Sequence, residues 1–175
     1  MSSLLSLSLS IAVLGGIWAF LALGPLAGFV LVWAGFIAWG CFFHSGGDSK
    51  ALTKTICGNI YGAFVGWIAL MIIFTFGIGD HGVAAIAALV AVTVFFLVIV
   101  ASMDALSVVP ANVYGYASIV AYTLHASAQP GLTTMSFANP LILIAVSMAL
   151  GAVFGCLSGA LAKMLTGSTS GRVTA

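Results

Sequence analysis

The chain has 175 residues, of which 63% are hydrophobic and only 4% charged: four basic and three acidic side chains. A soluble domain carries about 25% charged residues, so these few cannot cover an aqueous surface and the bilayer must be the solvent for most of it. A net charge of +1 excludes an electrostatic nucleic-acid reader, which needs a basic patch to neutralise phosphates.

A bilayer core of about 30 Å takes about 20 apolar residues as helix. Residues 4–23 supply the first such run, and with no basic stretch before it we expect a retained span rather than a signal peptide. Gly24-Pro25 marks a turn, and residues 26–43 read as a second span carrying Trp33 and Trp39. His44 to Lys50 is a polar loop, and residues 51–78 form a third span in which Lys54 can snorkel to the interface. Gly79 to Gly82 is a turn before a fourth span at 83–103. A fifth span covers 105–126, a loop runs from Ala128 to Pro140, and a sixth covers 141–165. The predicted fold class is all-α: a polytopic membrane protein of six transmembrane helices in one domain, 1–167, with a polar cytoplasmic tail at 168–175.

Lys50, Lys54, Lys163 and Arg172 are the basic residues. Six spans put all of them on one side, which the positive-inside rule makes cytoplasmic. Both termini are then expected inside, with Asp80 and His81 outside. Five spans would split the basic residues between the two sides.

Lys50-Ala-Leu-Thr leads to Asn59-Ile-Tyr-Gly62, and Asp104-Ala-Leu-Ser leads to Asn112-Val-Tyr-Gly115. A fainter echo opens the chain at Leu4-Leu5-Ser6. The simplest reading is one helical hairpin repeated three times about an axis along the membrane normal. Asn59 and Asn112 would then be equivalent, and Lys50 and Asp104 would sit at equivalent cytoplasmic mouths with opposite charge.

Gly58, Gly62 and Gly66, and again Gly151, Gly155 and Gly159, recur every fourth residue. Small residues at this spacing let helix backbones approach closely, so both sets are helix-packing candidates. Asn59 and Asn112 are costly in hydrocarbon unless hydrogen-bonded. Each carboxamide either ties helices together or lines a path for a polar solute. Helical spacing places Asn112, Tyr116, Ile119 and Thr123 on one stripe of the fifth span, with Tyr114, Ser118, Tyr122 and His125 beside it. Asn59, Asn112, Tyr114, Tyr116 and Ser118 are the solute-path candidates. Asp104, Lys54 and Pro110 are the mouth or gating candidates, Pro110 either starting its helix or breaking it.

Cys41, Cys57 and Cys156 are far apart and fall in apolar runs, as packing residues do. No pair of histidines or cysteines has metal-ligand spacing, and no nucleophile constellation or phosphate loop occurs. We expect no enzyme, no cofactor and no metal.

Gly16-Ile-Trp18, Trp33-Ala-Gly-Phe36, Gly46-Gly47 with a following lysine, Val109-Pro110 with Tyr114-Gly115, and Ala149 to Gly155 occur in this order across most of the chain. Together they resemble the DUF1097 family of small bacterial inner-membrane proteins. The resemblance implies a bacterial cytoplasmic-membrane location and assigns no substrate. From the residues, the leading expectation is a channel or facilitator for a small, mostly uncharged polar solute: a urea-like amide, ammonia or a short alcohol. A proton-linked transporter using Asp104 and a structural or regulatory subunit without its own path are the alternatives. The expected partners are the lipid bilayer, a small-molecule solute and further copies of the chain in a homo-oligomer, with no nucleic acid.

Overall fold

A computed structural model describes residues 2–170. Six α-helices form, and among the described residues there is no strand, only an isolated bridge between Ala27 and Val30. The helices are α1 (Ser3–Leu23), α2 (Val32–His44), α3 (Ser49–Thr75), α4 (Val83–Ile99), α5 (Val109–His125) and α6 (Pro140–Ser170). Successive helices run up and down one bundle. α1, α3 and α5 start at the end that carries Lys54, and the turn holding Asp80 lies at the opposite end.

Among the described residues four helices are long and apolar enough to cross a bilayer: Ser3–Leu23, Ser49–Thr75, Val83–Ser102 and Pro140–Gly167. They mark a multi-pass membrane protein. α2 and α5 are shorter, with 13 and 17 residues, or about 20 and 26 Å at 1.5 Å per residue. The span expected at 26–43 therefore begins late. Its first residues form a bent segment with Gly28 at φ +83, and helix starts only at Val32. That entry is held by α6: the Leu31 N–H donates to Ser147 Oγ at 2.9 Å, and Ser147 donates on to the Leu143 carbonyl at 2.6 Å. Irregular backbone among apolar helices survives where protein side chains satisfy it.

The expected fifth span also starts late. A 3₁₀ turn at Val100–Ser102 and another at Asp104–Leu106 precede α5. Pro110 is the second residue of α5 and opens the helix rather than breaking it; its missing N–H would have had no helical partner there. At the other end of the chain, α6 continues as helix to Ser170, past the start of the expected polar tail, and residues 171–175 lie outside the described residues.

Two packing centres hold the bundle. In the first, Trp18 lies fully buried between α1, α2 and α6 and donates Nε1–H to the Val32 carbonyl at 3.0 Å. Its indole occupies the space a β-carbon on Gly35 would need, and Gly151 lies against the Gly35 backbone. Trp39 completes this seam by donating to Ser158 Oγ at 3.0 Å. The second centre gathers Ala63, Leu70, Ile119, Ile144 and Met148 from α3, α5 and α6. Leu132, from the connector between α5 and α6, is buried in it as well.

That connector is an ordered cap. The Leu132 carbonyl accepts from Trp67 Nε1 at 2.9 Å and from Asn139 Nδ2 at 3.2 Å. Asn139 also donates to the Thr134 carbonyl and accepts the Leu141 N–H, so one side chain fixes both the loop and the start of α6. The sequence shows only a loop here, from Ala128 to Pro140. The apolar Leu132 between turn residues was the available signal.

Candidate functional site

α3 and α5 pack in parallel at closer range than side chains allow. A β-carbon on Gly62 would overlap the Asn112 carbonyl oxygen, and one on Gly115 would overlap that of Asn59. The contact is reciprocal: each helix offers a glycine to the backbone of the asparagine three residues before the other glycine. Gly58 meets Ala111 and the Asn112 side chain in the same seam, and Gly66 meets Ile119. Gly151 and Gly155 likewise seat α2, whereas Gly159 has only ordinary contacts with Phe43 and Phe42, at 3.7 and 3.9 Å.

The two asparagines are both fully buried but differ in their bonding. Asn112 Nδ2 donates to the Leu97 carbonyl and to the Leu106 carbonyl, each at 3.1 Å. It satisfies the end of α4 and the 3₁₀ turn before α5, where helical partners run out. Its Oδ1 has no partner, and neither Nδ2 nor Oδ1 of Asn59 has one. Ser118 and Thr123 are buried with unpartnered hydroxyls too.

Tyr114 turns outward and is exposed. Tyr116 turns inward to α4, with its hydroxyl 3.1 Å from Thr93 Oγ1. The Leu89 and Val90 carbonyls are also within reach of the Thr93 hydroxyl, so either hydroxyl can donate in the pair, and the Tyr116 oxygen offers lone pairs in both cases.

Tyr116 borders a cavity of about 710 Å³ between α3, α4 and α5. Ala69, Ile73, Phe74, Val90 and Val120 contribute apolar walls, and Asp80 stands at its outer end. The cavity exists because α4 is loosely held. Only Thr93 and Leu97 of that helix are buried, and Gly77 and Gly82, at φ +71 and +87, let the chain turn around Asp80. Of the path candidates, only Tyr116 lines this cavity. Asp80, read from sequence as a turn residue, belongs to it because the fold brings that turn over the α3–α5 seam.

The opposite end of the bundle carries an ion pair. Lys54 Nζ lies 2.7 Å from Asp104 Oδ1 and donates to Ser107 Oγ at 3.1 Å. The ammonium holds the Asp104 carboxyl below its usual range, first through the hydrogen bond and then through its charge. Asp104 is thus paired with Lys54. From Asp80 inward, then, one junction carries the cavity, the Tyr116–Thr93 pair, Asn112 and the Lys54–Asp104 pair. Among the described residues no group of three His, Cys, Asp or Glu side chains could hold a metal ion.

The model of a family described as a protein of unknown function, DUF1097, matches residues 8–163. No curated protein and no solved structure matches the chain.

Proposed function

This chain belongs to the DUF1097 family, and we propose that it is a membrane facilitator for a small, mostly uncharged polar solute, with the α3–α4–α5 junction as its route. The carrying observation is the cavity bordered by Tyr116, whose hydroxyl reaches Thr93, with Asn112 one helical turn away along α5. Apolar walls broken by single hydrogen-bonding groups do not replace an ion's hydration shell, but they receive a neutral solute that needs one or two partners. Urea-like amides, ammonia and short alcohols meet that description. α4, the helix with the fewest buried residues, is the natural moving part, and the Tyr116–Thr93 bond is its latch.

In this reading all six helices lie in a bacterial inner membrane, α2 and α5 being completed by their ordered connectors. Lys50, Lys54 and Lys163 share one end of the bundle, and the positive-inside rule makes it cytoplasmic. The reciprocal glycine contacts of α3 and α5 support descent of 59–62 and 112–115 from one duplicated unit. The exposed apolar residues of α4, including Val92, Phe95 and Ile99, leave a face for lipid or for a second copy in a homo-oligomer.

A subunit without a path is the second reading, favoured by Asn112, whose amide protons are spent on backbone carbonyls. The proton-linked reading gains no such support, because Asp104 is exposed and paired with Lys54. Purified protein in liposomes separates the three. The facilitator gives solute-driven swelling above empty vesicles, indifferent to a proton gradient and abolished by filling the cavity with Val120→Trp. Swelling no faster than that of empty vesicles, for every solute class named, sinks it.

A further inference from the structure

We propose that the α3–α4–α5 cavity is a binding site for an amphiphilic monocation, an alkylammonium or arylphosphonium type of molecule, with its charge at Asp80 and its apolar body directed toward Tyr116. This goes beyond solute passage and does not rest on it.

The side-chain polar groups of the cavity are acceptors at both ends. Asp80 offers a carboxylate at the mouth, and the Tyr116 hydroxyl, 3.1 Å from Thr93 Oγ1, offers lone pairs further in. Between them the wall is apolar, and a cavity of about 710 Å³ lies within the range that takes a drug-sized ligand. The Asp80 carboxylate folds back over Gly77, whose positive φ permits the turn, so the charge stays at the cavity rim. Among the described residues the salt bridge is Lys54–Asp104, at the far end of the bundle, and no lysine or arginine pairs with Asp80. Phe74 is among the lining residues and brings an aromatic ring to the same cavity. A neutral lipid chain would fill the walls but leave the carboxylate unanswered. An anion would be repelled by the Asp80 carboxylate. Charge complementarity therefore selects a cation with an apolar body.

The test is equilibrium binding of radiolabelled tetraphenylphosphonium to the full chain in nanodiscs of zwitterionic lipid, with empty discs subtracted. Saturable binding at one site per chain is expected. Asp80→Asn should weaken it about tenfold or more, near 1.4 kcal/mol, while Asp80→Glu and Asp104→Asn retain it. Val120→Trp should abolish it with Asp80 intact. Equal binding by Asp80→Asn and the unmodified chain overturns the proposal, as does undiminished binding in Val120→Trp or the absence of saturable binding. The swelling assay in liposomes reads solute passage independently, so failure of one leaves the other standing.

Discussion

The carbonyl oxygen of Asn112 occupies the place where a β-carbon of Gly62 would sit. The neighbour is backbone and cannot rotate away, so even one methyl must separate α3 from α5. Gly62→Ala is expected to cost about 1–3 kcal/mol, the usual penalty for overpacking a tight seam. Gly159→Ala, where Phe43 leaves ordinary van der Waals space, should stay within about 0.5 kcal/mol. Reversible unfolding of both variants in mixed micelles measures the contrast.

The two buried asparagines should respond oppositely to Leu. Asn112→Leu strips donors from the Leu97 and Leu106 carbonyls and should destabilise by about 1–3 kcal/mol, the cost of an unmade buried hydrogen bond. Asn59 has no partner to lose, so Asn59→Leu should be neutral or stabilising, since an apolar group removes an unmet desolvation cost. The same unfolding assay decides. A stable Asn59→Leu protein that has lost solute flux would place Asn59 on the route.

Acid should release the Lys54–Asp104 pair. The carboxyl's folded pKa lies below the ordinary 3.8, so its contribution is present above that value and is lost as pH falls through the lowered one. Melting temperatures of the unmodified chain and Asp104→Asn should differ at neutral pH and converge as pH drops below about 4. Added salt should narrow the neutral-pH gap, because Asp104 is exposed.

Ser147→Ala should loosen the entry to α2 without unfolding the bundle. The Leu31 N–H loses its acceptor, at a cost of about 1–3 kcal/mol where water does not replace it. Hydrogen exchange should quicken over residues 24–32 and remain unchanged in α3.

The long apolar runs disclosed α1, α3, α4 and α6, because hydrocarbon solvent demands both length and composition. The late start of α2 was hidden. Leu26 to Leu31 is as apolar as the helix that follows, and the bond that holds it comes from Ser147, 116 positions along the chain. The α3–α5 seam was partly visible: the shared Asn-x-Tyr-Gly motif carries Gly62 and Gly115, although spacing singled out only the first as a packing glycine. What Asn112 does with its amide was not visible, since Leu97 and Leu106 present backbone, and backbone leaves no trace in composition. The cavity was equally hidden. It depends on how few α4 residues reach the core and on where the Gly77–Gly82 turn falls. Pro110 permitted two local structures, and its place as the second residue of α5, where a helical N–H has no partner, decides in favour of a helix start.

Asn112 fastens the end of α4, the second 3₁₀ turn and α5 with a single amide, and Asn139 does the same between α5 and α6. These two connectors therefore have a fixed length, and a reporter or epitope inserted at 100–107 or 132–139 would detach the carbonyls each side chain reaches. Gly46 and Gly82 have open space around them, and a tag spliced there leaves those fastenings untouched. They lie at opposite ends of the bundle, which makes them the natural pair of positions for labelling its two faces separately.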